Sequence, residues 1–382
     1  MSDLASYAGR EQTYLKHFVL GKYLERLALI VGPTYRTITY VDCFSGPWES
    51  RDPNYEDTSF VVALKALRSA RAQLALRGIS INIRCFFLEK NVARFRNLAT
   101  FVDAINDVEI RRENKDFVEA IDDILQFVRA SGSDNFTFTF IDPTGWSGFP
   151  LQVITPLLKV RGEVLINFMT EHIRRFAGAD DVEIEASFRG LYDGDVKAEL
   201  AGLASQQREE RLVRLYMLAI KRAGQFQYVG SAVIFKPDVE KTNFHLVYAT
   251  RNDKGVAVFK EVEQKLAPET EVVRAAAKKN KRETGQQSFL SATDLYPSTR
   301  LKELRERYVA EARARTLGRL RKHGSEKYNV LWRRAVAYPL VWTSDLNGWL
   351  EEWRLAGKVR IDGLTGRQKP RWDRDITITW IG

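Results

Sequence analysis

The chain has 382 residues and a mass of 43.8 kDa, which is enough for about two domains. Its 45% hydrophobic and 28% charged residues are typical of a globular protein and exclude a collagen-like, coiled-coil or largely disordered chain. No apolar run approaches the length of about 18 residues that a membrane span needs, and the first residues do not resemble a secretory signal.

The cysteine and histidine content argues against several classes of protein. Two cysteines, Cys43 and Cys85, are too few for a disulfide framework or a zinc knuckle, and they indicate a reducing, cytoplasmic environment. The four histidines, at positions 17, 172, 245 and 323, are not at metal-ligand spacing. We therefore expect no metal cofactor.

Positive charge is concentrated in the last third of the chain. Residues 271–382 contain 24 Lys or Arg and 13 Asp or Glu, whereas residues 1–270 contain 35 and 36. Six of the eight tryptophans also lie in this C-terminal third. A basic excess confined to one region favours a polyanionic partner, most simply nucleic acid. The alternative is a basic but merely solvated helical surface.

Residues 1–267 alternate between helix and strand patterns. Apolar residues at helical spacing predict a first helix over 11–31. The sequence then predicts strands near 37–42, 81–88, 108–112, 136–141 and 163–168, with helices near 59–77, 91–104, 116–130 and 150–159 between them. A long helix near 180–223, two strands at 226–235 and 244–248 and a helix near 255–266 follow. Consecutive βα units predict an α/β domain with a mostly parallel sheet between two layers of helices.

A second domain is predicted at 297–382. The polar and basic residues 268–296 separate it from the first domain as a linker or flexible loop. Residues 297–336 are strongly helical, and a short helix is predicted to begin at Thr343-Ser344-Asp345.

Residues 358–361 and 376–381 can pair as a hairpin. Helices followed by a basic hairpin are typical of an α+β winged-helix-like domain. The tryptophans of the short helix, Trp349 and Trp353, are four residues apart, a spacing more typical of core than of contact residues.

Ligands of an open α/β sheet bind at the carboxyl ends of its strands. The first predicted strand ends at Asp42, and the following Phe44, Ser45 and Gly46 allow a ligand to approach the backbone closely. The second strand is followed by Glu89, whose carboxylate is placed to accept hydrogen bonds from both hydroxyls of a ribose.

The third and fourth strands end in further candidates. Asp116, after the third strand, is positioned to bond an adenine amino group, and Phe117 to flank the ring. The fourth strand runs into Asp142-Pro143-Thr144-Gly145-Trp146. Each feature is common by itself, whereas four strand ends in this order form a much more specific signal.

This run of motifs resembles class I S-adenosylmethionine-dependent methyltransferases. The more specific resemblance is to the bacterial three-Cys-motif partner family (TcmP), and it covers nearly the whole chain, with Asp142–Trp146 as its most specific part. The other matching stretches are 16–24, 40–47, 163–169 and 344–350. The resemblance implies a Rossmann-like seven-stranded sheet, S-adenosylmethionine as cofactor, and a radical-SAM-like partner protein bearing three cysteines.

The resemblance also implies roles for individual residues. Asp42, Phe44, Ser45 and Gly46 would form the cofactor loop, Glu89 would bind the ribose, and Asp116 and Phe117 would contact the adenine. Asp142 occupies the position of an Asp-Pro-Pro-aromatic motif of amino-methyltransferases. Hydrogen bonds from a nucleobase amine to the Asp142 carboxylate and the Pro143 carbonyl would aim the nitrogen at the methyl group, and Trp146 would stack a flipped base.

Two departures from the methyltransferase pattern keep an alternative open. Trp48 replaces a glycine beside the methionine part of the cofactor pocket, and Thr144-Gly145 shifts the aromatic position to Trp146. A catalytically inactive, nucleic-acid-binding adaptor for the three-cysteine protein is therefore the second hypothesis. A metal-dependent nuclease using Asp42, Glu89 and Asp142 is the third.

Five further residues near the same strand ends receive weaker predictions. Lys16 and His17 precede the first strand, where related folds sometimes contact the cofactor carboxylate, but a surface lysine beside a half-buried histidine is the favoured interpretation. Asn167 and His172 are expected to border the cleft without an assigned role. Cys43 is interpreted as a small core residue rather than a nucleophile.

Overall fold

The computed structural model describes residues 4–47, 49–143, 145, 149–170, 190–192, 196–237, 239, 241–283, 299–364 and 368–382. The chain divides into two compact units. The first unit comprises Met1–Val258 and Pro268–Ser288, and the second comprises Phe259–Ala267 and Phe289–Gly382.

The first unit is built on a seven-stranded mixed sheet in the order β3-β2-β1-β4-β5-β7-β6. Strands β1 to β5 are parallel, and β7 runs antiparallel to both β5 and β6. The elements in chain order are α1 (Glu11–Val31), β1 (Thr37–Asp42), α2 (Ser59–Ala75), β2 (Asn82–Leu88), α3 (Val92–Asp103), β3 (Glu109–Glu113), α4 (Ile121–Arg129), β4 (Asn135–Ile141), α5 (Leu151–Leu158), β5 (Gly162–Phe168), α6 (Val196–Leu200), α7 (Ser205–Gly224), β6 (Tyr228–Phe235), β7 (Thr242–Thr250) and α8 (Asp253–Glu283). The part of α8 at Phe259–Ala267 belongs to the second unit. The predicted Rossmann-like, seven-stranded α/β sheet is confirmed.

Both faces of this sheet are apolar because its central strands are covered on each side by helices. Tyr40 of β1 points to one face, where its ring lies near Phe87 and Phe138, and Tyr23 of α1 packs on Phe138. The neighbouring Val41 belongs to the opposite core cluster, which also contains residues of α4, α5 and α7. From Ile38 onward every residue of β1 is buried, so Asp42 lies at the buried end of the strand.

The helices after β5 differ from their prediction. In place of one long helix over 180–223, the described residues form the short α6 and the separate α7, with a turn at 201–202 between them. The remainder of the predicted helix, 180–189 and 193–195, lies outside the described residues.

The predicted linker is wrong over 268–283, because α8 continues as a helix to Glu283. The polar composition and Pro268 suggested a break, since proline removes a helical hydrogen bond. Tertiary packing outweighs this local signal: Val273 and Ala277 are buried, and the buried Arg274 donates hydrogen bonds to the carbonyls of Lys236 and Val239. The rest of the predicted linker, 284–296, lies outside the described residues.

The second unit contains α9 (Thr299–His323), β8 (Ser325–Lys327), α10 (Tyr328–Ala335), α11 (Thr343–Leu355), β9 (Val359–Asp362) and β10 (Thr377–Trp380). The strands form an antiparallel sheet in the order β8-β10-β9. The predicted hairpin is thus present as β9 and β10. The tryptophans predicted for the core, Trp349 and Trp353, are buried.

The strongly helical stretch predicted over 297–336 forms two helices with a short strand between them. Gly324, whose φ of 69° is unfavourable for other residues, follows the last residue of α9 and donates its N–H to the carbonyl of Leu320. The chain then forms β8 before α10 begins. A three-residue strand has no periodicity of its own, so the helical pattern on both sides concealed it.

Among the described residues, none of the helices combines the length with the apolar composition that a membrane span requires.

Candidate functional site

Backbone and side-chain hydrogen bonds tie together the carboxyl ends of β1, β2 and β3. Ser45 donates its backbone N–H and its hydroxyl to the carbonyl of Leu88, at 2.8 and 3.1 Å. Asn114, after β3, donates to the carbonyl of Glu89 at 2.8 Å. Phe44 and Phe117 bring the first and third strand ends together, with ring centroids 5.3 Å apart. The structure therefore brings the candidates of these three strand ends together.

The loop after β1 lies directly against Glu89. A Cβ atom added to Gly46 would lie 1.6 Å from the Glu89 Oε2 atom, a separation that no side chain can occupy. The other oxygen, Oε1, accepts a hydrogen bond from the Asn91 N–H at 2.6 Å. With Glu89 in this conformation, glycine at position 46 is what lets its carboxylate lie beside the loop backbone.

The two candidates after β3 differ in exposure. The Asp116 side chain is 46% exposed, accepts a hydrogen bond from the Val118 N–H and lies 3.8 Å from the Lys90 ammonium. Phe117 is 3% exposed and belongs to the core cluster. Asp116 is thus available to a ligand, whereas Phe117 supports Phe44 from the core. The contact of Phe117 with adenine stays a prediction.

Asp42 is a fully buried carboxylate at the end of β1. It accepts hydrogen bonds from the Phe44 N–H at 3.2 Å and the Tyr40 hydroxyl at 3.0 Å. Burial raises its pKa from 3.8 to about 6, and the hydrogen bonds of Ser59, Phe44 and Tyr40 offset part of this increase. The negative charge of Asp142 raises the pKa further, so the two carboxylates belong to one electrostatic site.

Replacing Asp42 with asparagine is expected to stabilise the protein at pH 7.5. The folded state holds a proton on Asp42 between about pH 4 and 6, whereas the unfolded state does not, so the stability of the parent falls as the pH rises through this window. At pH 7.5 the folded parent carries an ionised, buried Asp42, which lowers the free energy of unfolding by about 3 kcal/mol. Asp42→Asn removes this penalty, and the altered hydrogen bonds of the asparagine reduce the gain. Urea unfolding between pH 4 and 7.5 measures the difference.

The control for this experiment is Asp122→Asn, which replaces an exposed carboxylate on α4. It should leave the pH dependence unchanged. Equal slopes for Asp42→Asn and the parent would contradict the assignment of the raised pKa to Asp42.

Asp142, at the end of β4, lies in a chain of three polar side chains. Its Oδ2 atom pairs with the Lys16 ammonium, and its Oδ1 atom accepts a hydrogen bond from Asn167 Nδ2 at 2.7 Å. The Lys16 and Asp142 side chains are only 11% and 14% exposed. The Lys16–Asp142–Asn167 chain joins the first helix to the ends of β4 and β5.

The sequence pattern does not identify the roles of two residues in the Lys16–Asp142–Asn167 chain, namely Lys16 and Asn167. Lys16, interpreted as a surface lysine, is instead buried against Asp142, and Asn167 had no assigned role. A weak signal existed: Lys16 is a charged residue between the buried Leu15 and Phe18. A charge within an apolar helix segment usually has a partner, but the sequence does not identify it.

His17 is a buried, neutral neighbour of this chain. It shares a hydrogen bond of 3.0 Å with the Tyr7 hydroxyl. Burial, followed by the charges of Lys16 and Arg10, holds its pKa well below the usual value. Cys43 is buried in the core cluster as expected, and burial raises the pKa of its thiol. Both side chains are therefore uncharged near neutral pH.

The remaining predicted positions are described in part. Pro143 is buried next to Asp142. Trp48, Thr144, Trp146 and His172 lie outside the described residues.

Within the described part of the chain, no group of three or more His, Cys, Asp or Glu side chains is placed to hold a metal ion. Asp42, Glu89 and Asp142, the residues of the nuclease hypothesis, accordingly do not form such a group.

Comparisons with known proteins give a likeness of fold alone. One similar structure is an O-methyltransferase from Bacillus cereus in complex with SAH, with 13% identity, a TM-score of 0.30, and coverage of 60% of this chain and 80% of that chain. Another is a loganic acid methyltransferase with SAH, with 12% identity, a TM-score of 0.31, and coverage of 74% and 92%. No protein-family model and no curated protein matches the chain.

Proposed function

We propose that the chain is a cytoplasmic S-adenosylmethionine-dependent methyltransferase that acts on an exocyclic amine of a nucleobase in DNA or RNA. The observation that carries this proposal is the close approach of the loop after β1 to Glu89 at the end of β2. It lies in a seven-stranded sheet of the kind that the resemblance to class I methyltransferases implies.

The residues present fit the cofactor. Gly46 lets the Glu89 carboxylate lie against the loop backbone, and this carboxylate has lone pairs that can accept hydrogen bonds from two hydroxyls. Asp42, Phe44, Ser45 and Gly46 would hold the central part of S-adenosylmethionine, and Glu89 its ribose. At the end of β3, Asp116 and Phe117 would lie towards the adenine.

The reaction needs positioning more than it needs a base. When bound, S-adenosylmethionine would supply an electrophilic methyl group on a positively charged sulfur, which would keep the C–S electron pair when the N–C bond forms. The Asp142 carboxylate and the Pro143 carbonyl would accept hydrogen bonds from the amine and aim its nitrogen, and Trp146 would stack the base. The proton released by the methylated nitrogen passes to water.

The second unit supports nucleic acid as the substrate. Its order of helix, strand, two helices and two strands, with β10 in the middle of the sheet, supports the predicted winged-helix-like domain. Exposed cations without a described acidic partner remain on its surface at Lys322, Arg334, Lys358 and Lys369. We propose that this basic unit binds phosphates, and that the chain works with a three-Cys-motif radical-SAM-like protein as the TcmP resemblance implies.

A specific observation favours the adaptor hypothesis as second candidate. Lys16 and Asn167 already satisfy both oxygens of Asp142 without any ligand. A structural ion pair would have this arrangement too, so the fold could persist with no catalysis. The two hypotheses differ in cofactor binding.

Calorimetric titration with S-adenosylmethionine and S-adenosylhomocysteine separates the two hypotheses. The parent is expected to bind with micromolar affinity, and Glu89→Ala to weaken binding by roughly 10- to 100-fold, because hydrogen bonds to a carboxylate are lost. The matched control is Glu119→Ala, which removes an exposed carboxylate in the turn before α4 and should bind as the parent does. A folded parent that binds neither compound at millimolar concentration, yet binds oligonucleotides in a salt-dependent way, would favour the adaptor.

A further inference from the structure

We propose that Asn167 binds the substrate amine that receives the methyl group. Its Oδ1 atom accepts a hydrogen bond from one of the two amine hydrogens, while the Asp142 carboxylate and the Pro143 carbonyl share the other. This inference rests on the proposed methyltransferase function and adds a substrate-binding residue to it.

The first argument is an unsatisfied atom. Asn167 is 3% exposed, and its Oδ1 atom is buried with no hydrogen-bond partner among the residues that the structure describes. Leaving a buried polar atom unpaired is costly, and native structures contain few such atoms. An unpaired acceptor beside a proposed reaction centre points to a ligand that carries a hydrogen-bond donor.

The second argument is that Asp142 fixes the orientation of the Asn167 amide. The Nδ2 atom donates to Asp142 Oδ1 at 2.7 Å. A carboxylate only accepts hydrogen bonds, so the amide cannot be turned to present its oxygen there. The same bond that satisfies the Asn167 nitrogen therefore holds its oxygen as a free acceptor close to Asp142.

The third argument concerns Lys16, which acts through Asp142 as a positioning residue. Its ammonium pairs with Asp142 Oδ2 and holds this carboxylate beside Asn167. Each carboxylate oxygen has two lone pairs, so both oxygens can accept a further hydrogen bond. The Lys16–Asp142–Asn167 chain consequently presents acceptors towards the substrate.

This arrangement selects an amine with two hydrogens. An acceptor on each side of the nitrogen holds both hydrogens, whereas an amine that already carries a methyl group has one hydrogen and leaves one acceptor unpaired. The site should therefore transfer one methyl group and discriminate against the singly methylated base.

The experiment compares unmethylated and N-methylated substrates in three proteins. DNA and RNA oligonucleotides, single- and double-stranded, contain either adenine and cytosine or their N-methylated counterparts. Nucleoside mass spectrometry measures kcat/KM for the parent, for Asn167→Leu, and for Asn82→Leu as a control at the amino end of β2. Binding of S-adenosylhomocysteine, measured by calorimetry, shows whether each variant retains the cofactor site.

Asn167→Leu is expected to lower kcat/KM for the unmethylated base by roughly 10- to 100-fold, since one hydrogen bond in the bound state is lost. The variant should lower kcat/KM for the N-methylated base much less. The ratio of kcat/KM for the unmethylated base to that for the N-methylated base should therefore fall towards one. Affinity for S-adenosylhomocysteine should change less than threefold. If Asn167→Leu does not fold, Asn167→Ser, which retains a small polar group, is compared in the same way.

Equal losses on both substrates would show a merely structural role and would overturn the inference. Activity within twofold of the parent, or methylation of hydroxyl groups alone, would overturn it as well. A parent that binds no cofactor or methylates none of the oligonucleotides overturns the proposed function, and this inference with it.

Discussion

Replacing Asp142 with alanine is expected to abolish methyl transfer and to lower the free energy of unfolding by about 3–5 kcal/mol. The sequence alone predicts a loss of activity in an intact fold, because it places Asp142 at the substrate. The structure adds the second effect. Lys16 pairs with this carboxylate while only 11% exposed, so the alanine variant would leave a buried ammonium without its partner.

A double variant separates the two effects. In Lys16→Met/Asp142→Asn both charges are absent, and the amide oxygen introduced at position 142 can still accept the hydrogen bond of Asn167. The free energy of unfolding of this variant, from urea denaturation, should return to within about 1–2 kcal/mol of the parent, because replacing a buried ion pair by neutral groups is often nearly neutral. Methyl transfer should remain at least about 100-fold below the parent, because the carboxylate that orients the amine is gone.

The opposite result is equally informative. A stable Asp142→Ala variant that retains most of its transfer activity would show that neither the ion pair nor the carboxylate has the assigned importance. Recovery of activity in the double variant would show that a residue other than Asp142 accepts the hydrogen bond of the substrate amine.

The sequence predicts the sheet of the first unit well, since its strands and helices follow strong apolar patterns bounded by loops. It also predicts the ends of β1, β2 and β4 as the region of the candidate site. Ligand-binding residues in such a fold follow the strand ends, so their position along the chain is sufficient to nominate Asp42, Glu89 and Asp142.

The residues that escape prediction depend on contacts between distant segments. Lys16 and Asp142 are 126 positions apart, and neither carries a local signal for the other. The same reason explains the error at 268–283, where contacts of Arg274 and Val273 maintain a helix that the local composition argues against. The local sequence pattern predicts a helix or a strand, whereas the tertiary contacts of the folded protein determine which side chains pair.

Replacing Glu263 with alanine is expected to destabilise the protein by about 3–5 kcal/mol through the second unit. Glu263 accepts hydrogen bonds from the Leu340 N–H and the Trp342 indole N–H, each at 3.1 Å, and pairs with Lys260 at 2.5 Å. Both charged side chains are buried, and burial lowers the pKa of Lys260. Alanine would leave two buried donors without their acceptor, and the Lys260 ammonium would lose its negative partner and keep only the Tyr338 carbonyl.

Glu263→Gln keeps a hydrogen-bond acceptor while removing the charge, so its cost should be smaller than that of alanine, and Lys260→Met/Glu263→Gln should recover most of the remainder. Urea unfolding measures all three. Affinity for S-adenosylhomocysteine, measured on each folded variant, should equal that of the parent.

This comparison gives a control for Asp142, because both carboxylates belong to buried ion pairs with lysine. If catalysis depended on stability alone, matched losses of stability at Glu263 and Asp142 would lower methyl transfer equally. We expect the double variant at Lys260 and Glu263 to retain transfer where the double variant at Lys16 and Asp142 does not. The Lys16–Asp142 pair adjoins the Asn167 oxygen that has no hydrogen-bond partner among the residues the structure describes.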